Sequence, residues 1–123
     1  MSIMEFLGEP VVNAVYTKEA CEQRRLRIRA SFAAYTYEFK AESVMSDAEF
    51  DEICKKIDPS ITTGNPVMDN FFKTEFNPDT GMWIRNHPQL DRLEAMYFMF
   101  KNPNKEYYRN KGTVYSLVKK NSP

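Results

Sequence analysis

The stretch "KEACEQRRLRIRASFAAYTYEFKAESVMSDAEFDEICKKI", residues 18–57, decides how this chain folds. From Lys18 to about Glu42 it contains no glycine or proline, and Ile28, Phe32, Tyr35 and Phe39 recur at spacings of four, three and four. That is the helical period, so these side chains share a face. A second row, Leu26, Ala30, Ala33 and Tyr37, runs beside the first and broadens it. Thr17 is placed to cap the start of this helix. Ser46 followed by Glu49 forms a capping box, after which Phe50, Ile53, Cys54 and Ile57 line one stripe of a second helix. Asp58-Pro59 ends that helix, because the residue before a proline is pushed out of the helical region. With only Ser43 to Met45 as a link, the two helices are predicted to form an antiparallel hairpin.

Residues 1–17 read as an irregular lead-in broken by Gly8 and Pro10, with Val11-Val12 extended. Downstream, Asn65-Pro66 is a cap followed by proline at the first helical position, which predicts a short helix through about Glu75. In "FNPDTGMWI", Asn77, Pro78, Asp79 and Gly81 supply turn chemistry, and Trp83 and Ile84 are expected to return to the core. Pro88 is predicted to open a last helix in which Leu90, Leu93, Tyr97 and Phe100 follow helical spacing, and His87 to help start it. Val114 to Val118 reads as a short strand or a final helical turn. The expectation is a mostly α, small single domain: lead-in 1–17, helical hairpin 18–58, and a helical remainder 59–123 with a basic C-terminal segment.

With 123 residues, 42% of them apolar, the chain can bury one core. Its 17 basic and 17 acidic residues give no overall pull towards nucleic acid or membrane. From Lys101 onward, however, six basic residues face Glu106 alone, so the first hundred residues carry the matching negative surplus. The start of the chain has Glu5 and Glu9 where a secretory signal needs a basic start and an unbroken apolar run, and no apolar run reaches membrane-spanning length. A cytoplasmic protein is expected, with Cys21 and Cys54 as reduced thiols, since they form no CxxC pair.

The chain contains a single histidine, four glycines, and no hydrolase, zinc-protease, Walker or dinucleotide-loop motif, so a non-enzymatic role is expected, with no metal and no required cofactor. Arg24, Arg25, Arg27 and Arg29 spread around a helix that also carries Glu19 and Glu22, and they read as a solvated face with local ion pairs. Tyr107, Tyr108 and Tyr115 among the C-terminal cations suit a single strand of nucleic acid, although a packed segment with a charged exterior is the preferred reading. Met96 and Met99 suit either core filling or an adaptable partner surface. At the mouth of the hairpin, Asp47 and Asp51 lie four apart with Phe50 beside them, opposite Tyr37 and Glu38 in the last turns of the first helix. An aromatic face and several acceptors suit a flat, cationic or hydroxyl-rich ligand. First-turn carboxylates also complement the helix dipole without any ligand.

Residues 34–57, "AYTYEFKAESVMSDAEFDEICKKI", resemble the N-terminal Ia domain of NAD-dependent bacterial DNA ligases, whose two helices carry the pattern Y-x-Y-H/Y…D-x-P-x-I-x-D-A-E-Y-D-x-L. That domain recognises the nicotinamide mononucleotide half of NAD. The resemblance implies Tyr37 as a stacking residue and Asp47, Phe50 and Asp51 as its partners across the hairpin. Glu38 stands where the family has histidine, Phe50 lacks the tyrosine hydroxyl, and Ala41-Glu42-Ser43 replaces D-x-P. The chain has no KxDG lysine motif and no room for a nucleotidyltransferase domain. The rest of it resembles small phage-encoded proteins labelled ligase-like for this hairpin, which implies a host-cell cytoplasmic location. The resulting expectation is a ligand site of Tyr37, Glu38, Asp47, Phe50 and Asp51 for NAD or nicotinamide mononucleotide. The alternative is an inhibitor of a host defence complex, such as a CRISPR effector, acting by protein contact through an aromatic face around Tyr97 to Tyr108.

Overall fold

A computed structural model describes residues 16–103 and the backbone of residues 105–110 and 114–119. The fold is mostly α, as the helical periodicity indicates. The chain divides into two compact units, Met1–Pro88 and Gln89–Pro123. The lead-in up to residue 15, including the extended Val11-Val12, lies outside the described residues.

In the first unit, helix α1 (Lys18–Lys40) starts at Thr17, whose hydroxyl oxygen accepts from the Ala20 amide at 3.1 Å. Helix α2 (Asp47–Lys56) starts at Ser46, whose hydroxyl oxygen accepts from the Glu49 amide at 3.1 Å. The two run antiparallel, and Gln23 near the start of α1 clasps the end of α2. Its Nε2 donates to the Lys56 carbonyl at 3.0 Å, and its Oε1 accepts from the Asp58 amide at 2.9 Å. Helix α1 ends at Ala41, which adopts left-handed φ and ψ of 54° and 39°. The Glu42 amide then reaches back to the Thr36 carbonyl at 3.0 Å and closes the last turn.

Helix α3 (Pro66–Thr74) is capped by Asn65, whose side-chain oxygen accepts from the Met68 amide, with Pro66 in its first turn. A turn leads to a 3-10 helix, Met82–Asn86, that returns Trp83 and Ile84 to the interior. Phe71, Phe72, Phe76 and Trp83 form an aromatic cluster with ring centroids 5.2–6.0 Å apart. His87 does not start a helix. It is buried with its ring 5.1 Å from that of Phe71, and its amide donates to the Ile84 carbonyl.

The structure corrects the reading of Arg24 and Arg27 as a solvated face, because both are buried. Arg27 Nη1 donates to Asp69 Oδ1 at 2.8 Å, and Nη2 donates to the Asp58 and Ile61 carbonyls at 3.0 and 2.8 Å. Arg24 Nη1 donates to the Thr63 carbonyl at 2.8 Å. Asp69 also accepts from the Thr63 amide and hydroxyl at 3.0 and 2.7 Å. Two arginines thus satisfy the irregular strap between α2 and α3, whose buried carbonyls no helix or sheet can serve. Burial lowers the Arg27 pKa from its ordinary value, while the bond to Asp69 opposes that shift. Arg25 and Arg29 are exposed.

The apolar stripe on α1 is displaced accordingly. Leu26, Ala30, Ala33, Ala34 and Tyr35 are buried, whereas Phe39 and Tyr37 are exposed. On α2, Ile53 and Cys54 are buried, as is Ile57 just beyond its end. Both cysteines are free, and burial with the nearby Asp51 charge pushes the Cys54 thiol up to about 11, so it stays protonated near neutral pH.

In the second unit, helix α4 (Leu90–Lys101) begins two residues after Pro88, buries Leu93 and leaves Met99 and Phe100 exposed. Strands β1 (Lys105–Asn110) and β2 (Val114–Lys119) follow as an antiparallel hairpin, with Lys105 opposite Lys119 and Asn110 opposite Val114, so of the two readings of Val114 to Val118 the strand is the one adopted. β-branched and aromatic residues in Tyr107-Tyr108 and Val114-Tyr115 favour this extended backbone. The tyrosine side chains of this segment lie outside the described residues. Among the described residues no helix is long and apolar enough to cross a membrane.

Two stability outcomes follow from the first unit. Replacing Asp69 by alanine leaves Arg27 buried without its counter-charge, which typically costs roughly 3–5 kcal/mol. Urea unfolding followed by Trp83 fluorescence measures it, and a loss below about 1 kcal/mol would show that the pair does not hold the strap. At the left-handed Ala41 the substitution Ala41→Gly relieves the Cβ clash and is expected to stabilise by roughly 0.5–1 kcal/mol. A lowered melting temperature for A41G would contradict that account.

Candidate functional site

Two walls enclose a cleft of about 370 Å³. One is the open end of the helical hairpin, built from Ala33, Ala34, Tyr37 and Glu38 of α1, the link Ser43 to Met45, and Asp47, Phe50 and Asp51 of α2. The other is the turn Pro78 to Met82. All five residues singled out in the sequence, Tyr37, Glu38, Asp47, Phe50 and Asp51, therefore line one cavity. They meet because Tyr37 and Glu38 occupy the last turns of α1, while Asp47, Phe50 and Asp51 occupy the first turns of α2. The short link, residues 41–46, capped by Ala41 and Ser46, keeps those ends together.

Tyr37 is 66% exposed, so its ring is presented at the cleft and not spent on the core. Phe50 is half-buried in the wall across from it. Gly81 completes the opposite side. A methyl at its Cβ position would lie 3.6 Å from Phe50 Cζ and 3.7 Å from the Ala34 Cβ, so the turn packs against both helices at ordinary contact distance. Internal bonds brace the turn: Trp83 Nε1 donates to the Thr80 carbonyl at 2.7 Å, and the Met82 amide donates to the Thr80 hydroxyl at 3.1 Å. Because Trp83 is anchored in the aromatic cluster, it ties this wall to the core.

The cleft is rich in acceptors. Among the described residues four carboxylates, Glu38, Asp47, Asp51 and Asp79, line it, and no lysine or arginine does. Two of the four are balanced from outside. Lys55 pairs with Asp51 at 2.8 Å, one helical turn along α2, and that hydrogen bond raises the Lys55 pKa above its ordinary value. Arg85 donates from Nε to Glu38 Oε1 at 2.7 Å, and its Nη2 donates to the same oxygen. Glu38 is therefore not an added free negative charge in the pocket. The charge of Asp79 also acts on Lys55, while Asp47 makes no ion pair with a described residue. Among the described residues no group of histidine, cysteine and carboxylate side chains is arranged to hold a metal ion.

Sequence reasoning did not find Pro78 to Met82 or Arg85 as part of the site. Their turn residues are plain in the sequence, but nothing in it shows that the turn folds over a hairpin some thirty residues upstream. Comparison with known proteins brings no match: no family model, curated relative or solved structure is similar enough to place the chain in a family.

The contact distances at Gly81 carry an expected outcome. Gly81→Ala adds a methyl that fits between Phe50 and Ala34 at a φ of −103° that alanine adopts freely, so stability should change by less than about 1 kcal/mol. A thermal melt showing a loss above about 2 kcal/mol would mean that the turn and the hairpin pack more closely than described.

Proposed function

We propose that this protein is a non-catalytic binding protein whose cleft takes a nicotinamide nucleotide. The observation that carries this reading is the gathering of Tyr37, Glu38, Asp47, Phe50 and Asp51 along one cavity. The ring of Tyr37 is free to stack on a flat heterocycle, and Phe50 backs it from the other helix. Asp47 and Asp51 are acceptors for ribose hydroxyls or a carboxamide N–H. A lining of four carboxylates without a lysine or arginine favours a cationic pyridinium over a neutral ring of the same shape. Size supports the mononucleotide half as the anchored part. Ligand pockets span roughly 300–1,000 Å³, and about 370 Å³ lies at the small end. The resemblance of residues 34–57 to the ligase Ia hairpin supports the same ligand class.

A second reading, an inhibitor of a host defence complex such as a CRISPR effector, is supported by Met99 and Phe100, which expose apolar surface on α4. It predicts a specific host complex retained on the immobilised protein and released by replacing Phe100 with a charged residue.

Calorimetric titration with nicotinamide mononucleotide and with NAD decides the first reading. Binding of both is expected, with Asp47→Asn weakening each roughly tenfold by removing a charge-assisted acceptor. If neither ligand produces heat with the intact protein, the nucleotide reading fails.

A further inference from the structure

The Glu38 edge of the cleft carries a guanidinium whose donors are only partly used. Arg85 turns Nε and Nη2 towards a single oxygen of Glu38. Its Nη1 donors make no bond to a described residue, and the side chain is 59% exposed. Glu38, by contrast, is largely covered, with its side chain 19% exposed, and it lines the cavity. A covered carboxylate held by two N–H groups fixes the plane of the guanidinium and leaves the remaining donors pointing away from it. The residue is delivered by the 3-10 helix Met82–Asn86, which continues directly from the turn forming the second wall.

We propose that Arg85 recognises the phosphate of the bound nucleotide at the Glu38 edge of the cleft, with Glu38 orienting it. The inference rests on the nucleotide reading above and adds to it the residue that distinguishes a nucleotide from a nucleoside. The cavity lining makes such a residue necessary. Four carboxylates and no lining cation suit a pyridinium and a ribose but repel a phosphate, so the phosphate must lie at an edge where positive charge is available. Among the described residues two cations touch lining carboxylates, Lys55 and Arg85. Lys55 lies along the exposed surface of α2, one turn from its partner, and offers only a point charge. Arg85 offers a planar fork matched to phosphate oxygens. The carboxylate at position 38 thus acquires a role: it does not meet the ligand's positive ring but holds the cation that meets its negative end.

The test compares nicotinamide mononucleotide with nicotinamide riboside, which lacks the phosphate, on the wild-type protein and on Arg85→Gln and Arg85→Lys, by calorimetry. Wild type is expected to bind the mononucleotide roughly ten- to a hundredfold more tightly than the riboside, the range for bonds to a charged group. In R85Q that preference disappears without any loss of riboside affinity, and R85K restores part of it. If Arg85 merely braces the fold, R85Q weakens both ligands alike, and the inference is overturned. If wild type binds both ligands equally, the nucleotide reading stands and the role of Arg85 falls. If wild type binds neither, both fall.

Discussion

The first unit depends on a charge pair that the sequence keeps 42 residues apart. Arg27 and Asp69 meet at 2.8 Å with both side chains almost fully covered. Each also bonds to the strap between α2 and α3: Arg27 to the Asp58 and Ile61 carbonyls, Asp69 to the Thr63 amide and hydroxyl. Desolvating two charges is expensive, and their mutual attraction offsets it only when the remaining donors and acceptors are also served. Here nearly all of them are, apart from Arg27 Nε, which has no partner among the described residues. That guanidinium lies over the Phe72 ring, its carbon 5.2 Å from the centroid, which joins the polar network to the aromatic cluster.

The cleft inherits its geometry from this arrangement. The pair fixes α3 against α1, and α3 contributes Phe71 and Phe72 to the cluster that receives Trp83. Trp83 in turn holds the Thr80 carbonyl, and the turn around it forms the second wall. A polar interaction buried midway along α1 therefore sets where a surface turn lies at its C-terminal end. The chain of contacts is short and each link is close-packed, so little slack accumulates along it.

The helical hairpin and the first wall were legible because their signals are local. A hydroxyl three residues before an acidic residue, a proline after an aspartate and an apolar stripe all act within one or two turns. The caps at Thr17, Ser46 and Asn65 lie where the residue types put them. The role of Arg27 was not legible, because glutamates nearby in sequence offered a simpler set of partners than an aspartate on a later helix. A signal existed: Ala20, Gln23, Arg24, Arg27, Ser31 and Ala34 follow helical spacing, and small residues on such a stripe mark a close approach by another segment. The second wall left no comparable trace, since turn residues specify a bend and not what the bend covers. The C-terminal hairpin was half legible, with β-branched and aromatic residues favouring strand but no turn signal strong enough to exclude helix.

The cleft is divided between two segments distant in sequence, so residues 34–57 alone do not make it. Residues 34–57 hold Tyr37, Glu38, Asp47, Phe50 and Asp51, yet they form only one side of the cavity, and both the facing wall and the guanidinium at its edge come from residues 78–85. A peptide or graft carrying the hairpin alone would present its acceptors to bulk water, where a carboxylate gains little from a cation or a hydroxyl. The shape of the cavity is set by the turn that folds over the hairpin as much as by the hairpin itself. Two proteins sharing these two dozen residues but differing in that turn should be regarded as having different sites.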